Sequence, residues 1–454
     1  MIDQEILNFL GERGLAAESV LYAHIREWEA WWRGKNRAFH EYLENNAMGR
    51  PVRREMFRMN MAKKICEDWA AVLLNDRTVL HVEDEAGERF VKNVLARSGF
   101  FRQANRLVEK AFAVGTGAAI LRLENCPVAE DGGLHADEGT AVSFEYVDAA
   151  HIVPLSVKNG RITEAAFVSE GVERGKEYVY LETHTIENGG YCIRNVFFDR
   201  EDGVLREREG GTGTASVIRT GSMIPLFAVI SPNLVNHIDE AFGMGMSVFA
   251  DAIDCLRGVD LAFNNFCRDI KLGGKKVFLN QSLVQRDEYG NVYTPDDVAQ
   301  QLFVTIGDTD IAEHPMITEH NPELRTADNA EAVQSQLDYL SFRCGLGTHH
   351  YTFGGIEGRA KLTATQYMGE RQDMMQNAVK HQKNVESFLS GVVSALLWCA
   401  AEVYGLPADT DAAVTVTFDD SYFTDTESQR SRDLDEVKAG ILTAEEYRRK
   451  WIEV

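Results

Sequence analysis

From Leu362 to about Tyr404 the chain runs without a proline. A segment that long, if fully helical, spans roughly 60 Å at about 1.5 Å per residue. No small single-core domain holds such a rod inside itself, so other elements must line up along it. Gly369 and Gly391 are the two places where it is expected to bend. Its most apolar part, Phe388 to Ala401, falls short of the about 20 residues a bilayer-spanning helix needs. That part is therefore expected to lie against protein, with no membrane partner.

The rest of the pattern supports an α+β chain, mainly helical. With 454 residues, two to four structural units are expected. The first 75 or so residues read as helical, with Trp28, Trp31 and Trp32 grouped as core or as a subunit interface. Met61, Ile65, Trp69, Val72 and Leu73 recur on one helix face. A further helix over 98–114 ends at Gly115-Thr116-Gly117, and a strand follows over Ala118 to Leu123. From about 141 to 230 the pattern turns to β. Val142, Phe144 and Tyr146 alternate, Tyr178, Tyr180 and Glu182 do so more weakly, and Asn159-Gly160 and Asn188-Gly189 are hairpin turns.

A second helical region is expected from near Gly245 to Leu272, stopped by Gly273-Gly274. A small mixed unit comes next, with strands at Val277 to Leu279 and Leu302 to Ile306. Between them Thr294-Pro295-Asp296-Asp297 is a helix start. Another helix covers about Asp328 to Cys344, and a glycine-rich loop runs from Gly345 to Lys361. After the long segment come a strand, Val414 to Phe418, and a helical tail with a capping box at Thr443 and Glu446.

Charge narrows the function. The net charge is -23, from 70 acidic and 47 basic residues. Phosphate contacts need Lys and Arg, so this surface does not grip nucleic acid all over. A like-charged wall instead lets DNA slide past. The seven cysteines form no C-x-x-C pair and read as free thiols in a reducing cytosol. The start, MIDQEILNFL, has early acids and no basic stretch, unlike a signal peptide.

Catalytic motifs fail one by one. Gly171-Val172-Glu173-Arg174-Gly175-Lys176-Glu177 is one residue short of a phosphate loop and has Glu where Ser or Thr would meet magnesium. Gly115-Thr116-Gly117 lacks a third glycine and precedes a strand. There is no G-x-S-x-G or H-E-x-x-H. His349-His350 lacks an acidic partner at ligand spacing, and Asp419-Asp420 reads as turn capping. The chain is therefore expected to have no catalytic residues, metal or cofactor. Arg268, Lys271, Lys275 and Lys276 form a basic group. It serves the C-terminal dipole of its helix, a phosphate, or a neighbouring subunit's acid.

Four segments carry a resemblance. They are MNMAKKICEDWAAVLLND (Met59 to Asp76), the stretch Leu226 to Leu272, the stretch Leu337 to Val385 with CGLG, LTATQ and KHQKNVE, and Phe418 to Trp451 with FDDS and DEVKAGILTAEEYRRKW. Together, and in this order, they resemble the portal proteins of tailed bacteriophages that infect Gram-positive bacteria. The resemblance implies a homo-oligomeric ring, usually of twelve subunits, at one capsid vertex. Double-stranded DNA is packaged and ejected through it without sequence specificity. The implied partners are the terminase large subunit, head-completion or neck proteins, the major capsid protein and a scaffolding protein. The implied place is the virion, with host cytoplasm during assembly.

The resemblance also implies the portal fold, with wing, stem, clip and a short crown. Residues 1–242 would be wing, 243–274 a stem helix, 275–325 clip and 326–345 a second stem helix. Residues 346–361 would be the tunnel loop, 362–405 the long wing helix, 406–425 a strand returning to the wing, and 426–454 the crown. His349, His350, Tyr351, Arg359 and Lys361 would then face DNA in the channel. The rival readings are another virion structural or minor head protein, a nucleic-acid enzyme with no recognisable motif, and a helical scaffold unrelated to phage.

Overall fold

The computed structural model describes residues 4–15, 19–46, 49–129, 132–173, 175–208, 215–280, 289, 302–305, 317–353 and 364–419, with short pieces between 433 and 448. In chain order the elements are α1 (Gln4–Glu12), α2 (Leu21–Trp32), α3 (Arg37–His40), β1 (Glu41–Asn45), β2 (Pro51–Glu55), α4 (Met61–Leu73), β3 (Val79–Val82), α5 (Glu85–Ser98), α6 (Phe100–Val114), β4 (Gly117–Glu124) and β5 (Ala141–Asp148). There follow β6 (Ile152–Lys158), β7 (Arg161–Glu173), β8 (Lys176–Glu187), β9 (Gly190–Glu201), β10 (Val204–Glu207), β11 (Val217–Arg219) and β12 (Phe227–Ile230). The remainder are α7 (Ile253–Leu272), β13 (Lys276–Asn280), β14 (Leu302–Thr305), β15 (Ile317–His320), α8 (Thr326–Arg343), α9 (Ala364–Trp398) and β16 (Val414–Thr417). They divide into two compact units. The first comprises Met1–Glu29, Lys64–Ala250 and Leu362–Val454, and the second Ala30–Lys63 and Asp251–Lys361.

The expectation of a mainly helical chain is corrected. The structure is 43% helix and 28% strand with a curled antiparallel sheet, a mixed α/β composition in which the portal fold is not shown. The difference lies in β6 to β10, which form an antiparallel meander with β11 also paired to β9. Its core strands run 12 to 13 residues, far longer than the short alternating runs suggested. The turns that make the meander possible are Asn159-Gly160, Asn188-Gly189 and Asp202-Gly203. In each, both residues have positive φ, the two-residue geometry that suits the twist of antiparallel strands. The third of these turns carries no expectation from the sequence.

Each strand of the meander puts alternate side chains on opposite faces. Val179 and Leu181 of β8 pack with Val168, Phe198 and the α1 residues Ile6 and Leu10. Tyr178, Tyr180 and Glu182 point the other way, toward the three-stranded sheet β12-β4-β5. Phe227 of β12 closes part of that space against Phe167 and His184, with ring centroids 5.4 and 5.3 Å away.

The long helix α9 also belongs to the first unit. Its 35 residues pass through both Gly369 and Gly391 without a break. At Gly391 the glycine serves close packing, since a Cβ there would lie 3.3 Å from Ala228 of β12. Met374, Ala378, His381, Val385, Phe388, Val392 and Leu396 are buried along it, one helical stripe. The apolar part lies within the helix over residues 372–403, which holds an 18-residue window of mean hydropathy 1.3, enough to cross a membrane by length and composition alone. That window is 61% buried inside the protein, as a core helix is.

Met61, Ile65, Trp69, Val72 and Leu73 of α4 are all buried. The helix expected from Gly245 begins only at Ile253. The reason is local. Gly245 N donates to Thr116 Oγ1 at 2.9 Å and Val248 N to the Phe112 carbonyl at 2.9 Å, so these amides are committed to α6 and the segment after it. Gly115 permits that approach. Its φ is +90, and a Cβ there would strike the Gly245 carbonyl.

In the second unit, α7 packs on α8. Gly258 of α7 leaves room for Gln336 of α8. The chain between them contributes the three-stranded sheet β14-β13-β15, in which β13 pairs parallel with β14 and antiparallel with β15. The helix start at Thr294-Pro295 lies outside the described residues. A hairpin, β1-β2, completes the unit. Its floor is a buried pair. His40 Nε2 lies 3.0 Å from Asp260 Oδ2, and Asp260 Oδ1 accepts from the Met59 amide at 2.9 Å.

Candidate functional site

The loop after α8 supplies the first set of candidates. Gly345 and Gly347 have positive φ, as does His349 at +60, so the chain turns back sharply on the helix it has left. His349 Nδ1 lies 2.9 Å from Asp338 Oδ2, an acidic partner that the sequence spacing did not suggest. Gln334 Nε2 donates to the Tyr351 carbonyl at 2.9 Å, and Phe353 N donates to Gln334 Oε1 at 2.7 Å. Phe353 stands edge-on to Phe263 and Phe266 of α7. His350 and Tyr351 rings meet at 4.7 Å, nearly perpendicular. The start of the loop is thus tied to α7 and α8 through His349, Tyr351 and Phe353. Arg359 and Lys361 lie outside the described residues.

The second set is spread out rather than grouped. Arg268 donates to Tyr42 Oη at 2.6 Å and Glu44 Oε1 at 2.9 Å. The Glu44 hydrogen bond raises the guanidinium pKa further, and Arg268 in turn lowers that of Glu44. Lys275 pairs with Glu319 of β15 at 2.8 Å. Lys276 sits in β13 and Lys271 in the last turn of α7. Arg268 and Lys275 thus each meet an acidic partner within the chain itself, which was not among the alternatives open for this group. Among the described residues, no group of three or more His, Cys, Asp or Glu could hold a metal, and none of the seven cysteines is in a disulfide.

The first unit holds a polar constellation that motif reading passed over. Glu182 of β8 is 1% exposed. Its Oε1 accepts from His184 Nε2, while its Oε2 accepts from Arg122 Nη1 and from the Tyr180 hydroxyl, the last at 2.6 Å. Arg122 also donates through Nε and Nη2 to a single oxygen, Oε2 of Glu145. Tyr180 Oη lies 2.8 Å from Asn195 Oδ1 as well. Cross-strand register builds this arrangement, because Glu182 faces Asn195 and Tyr180 faces Phe197 across β8 and β9.

The electrostatics are those of a closed ion network. Burial alone would raise the Glu182 pKa. The hydrogen bond from His184 and the Arg122 charge outweigh it and hold the carboxyl down at about 2. Burial would lower the Arg122 pKa, and Glu182 and Glu145 overcome that and raise it. Tyr180 is pushed well up by burial and by Glu182. His184 Nδ1 is buried without a hydrogen-bond partner.

A third buried group sits on α9. His381 Nδ1 accepts from the Asn233 amide at 3.0 Å, and the ring lies edge-on between Trp69 and Phe112. Burial pushes its pKa down to about 4. The sequence signals for these sites were faint: a weak alternation over Tyr178 to Glu182, and one histidine within an apolar stripe. No protein-family model matches the chain, and no curated protein is significantly similar to it.

Proposed function

We propose that the chain is the portal subunit of a tailed phage, forming a ring through which double-stranded DNA is packaged and ejected. The observation that carries the reading is the set of four segments, from Met59 to Trp451, that resemble portal proteins in order along the chain. Two features of the second unit support it. Helices α7 and α8 pack together and bracket a small sheet, an arrangement suited to a stalk that presents a docking surface to the motor and later to the neck. The loop that follows α8 begins from a braced base, with His349, Gln334 and Phe353 anchored.

The charge supports passage rather than grip. A chain of net charge -23 repels the DNA backbone over most of its surface. A few cationic groups then give contacts that are easily released. Arg268 and Lys275 already pair with Glu44 and Glu319, so Arg359 and Lys361 are the cations assigned to transient phosphate contact. The reading assigns no catalysis to the chain; the packaging ATPase is a separate partner.

The test has two parts. Negative-stain microscopy of the purified chain should show closed rings with a central hole, and the same sample should not hydrolyse ATP. Arg359→Ala with Lys361→Ala should leave the rings intact and change packaged DNA length or rate. ATP turnover by the chain alone would defeat the reading.

A further inference from the structure

We propose that the cavity between β8-β9 and β4-β5 in the first unit is a binding site for an extended organic cation, a guanidinium or alkylammonium group on an apolar stem. The inference does not depend on the portal reading.

The cavity measures about 1010 Å³, at the upper end of the range of small-ligand pockets. One wall is aromatic. Tyr178 and Tyr180 flank Phe197, with ring centroids 6.1 and 4.8 Å from it. The opposite wall, from β4 and β5, brings Arg122, Glu124 and Glu145. Leu121, Ile193 and Leu226 are among the apolar lining.

The balance of charge and hydrogen bonding sets the ligand's sign. Glu124, Glu145 and Glu182 bring three negative charges, and Arg122 brings one positive. The lining is net negative. It is also rich in acceptors. Both Arg122 contacts to Glu145 fall on Oε2, which leaves Oε1 of a carboxylate 38% exposed to take a new donor. Tyr180 has one proton and two acceptors in reach, Glu182 Oε2 at 2.6 Å and Asn195 Oδ1 at 2.8 Å, so one acceptor is left short of a donor.

A purely structural ion pair would account for Arg122 with Glu182. It does not account for a second carboxylate turned half toward an open cavity beside three aromatic rings. Aromatic faces with carboxylates form the usual receptor for an organic cation. An anion would meet carboxylates, and a neutral apolar ligand would leave the acceptors unpaired. A free polyamine and an arginine or lysine side chain on a protein segment share this chemistry.

The experiment is titration calorimetry on the full chain with two probes, spermidine and an N-acetylated Leu-Arg-Leu amide. At least one should bind saturably. Spermidine alone binding would name a free polyamine, and the peptide alone would name a protein segment. Glu145→Gln should weaken binding about tenfold, and Tyr178→Leu several-fold. Glu85→Gln, an exposed acid on α5 outside the cavity, should leave it unchanged and so controls for attraction to an acidic surface. Should Glu145→Gln fail to fold, Tyr178→Leu carries the test, since it leaves the ion network intact. Absence of saturable binding by both probes would overturn the proposal, as would binding that neither cavity variant weakens.

Discussion

Two sets of ion pairs, one in each unit, hold charge in opposite ways. In the first, Arg122, Glu145 and Glu182 are drawn into a network whose central carboxylate is 1% exposed. In the second, Arg268–Glu44, Lys275–Glu319 and Arg325–Asp269 are ion pairs in which each partner keeps a quarter to nearly three-quarters of its side chain in solvent. Buried charges cost several kcal/mol to desolvate and hold only when every partner is present. Exposed pairs are screened and contribute little. The Glu182 network of the first unit is therefore brittle toward loss of one charge, and these exposed pairs of the second are tolerant.

The largest expected effect tests that difference. Glu182→Gln leaves Arg122 with Glu145 as its one charged partner and turns one of two accepting oxygens into a donor, and should cost about 3 to 5 kcal/mol in denaturant unfolding. Glu44→Gln should cost less than about 1 kcal/mol. Equal losses would break the contrast.

Acid gives the same contrast a second axis. Glu182 has a folded pKa of about 2 against an ordinary 4.5. Its contribution is complete above pH 4.5 and is lost as pH falls toward 2. His381 acts in a higher window. Its folded pKa of about 4 lies below the ordinary 6.5, so the unfolded chain binds more protons between those values. Stability should fall by roughly 3 kcal/mol as pH drops from 6.5 to 4. His381→Gln keeps an acceptor for the Asn233 amide and should flatten that slope, which chemical denaturation at stepped pH measures.

A smaller loss is expected at Gly115. Its left-handed φ and the nearby Gly245 carbonyl should make Gly115→Ala cost about 2 kcal/mol. Smaller still is Gly258→Ala in the second unit. Among the described residues the close neighbour there is the end of the flexible Gln336 side chain, and alanine favours the helix by about 1 kcal/mol. The net change in thermal midpoint should be slight. A large loss at Gly258 would show that the α7–α8 contact is rigid.

Much of the local structure was legible because its causes are local. The stripe through Met61 and Trp69, the turns at Asn159-Gly160 and Asn188-Gly189, and the proline-free α9 each follow from spacing or turn chemistry within a few residues. What the sequence hid depends on distant partners. Alternation at Tyr178, Tyr180 and Glu182 ordinarily marks a solvent face. Here Arg122, some 60 residues earlier in the chain, lies over it and turns a surface glutamate into a buried one. The bond of His349 to Asp338 and the delayed start of α7 have the same origin. So does the misjudged helix content: β7 to β9 are buried in runs where both faces meet protein, which blurs the period of two.

The most direct test of the central claim is native mass spectrometry of the full chain. One species of about twelve times the 50.9 kDa chain mass, or a neighbouring ring number with cyclic symmetry by microscopy, is the predicted result. A closed two-fold dimer as the final assembly would contradict it.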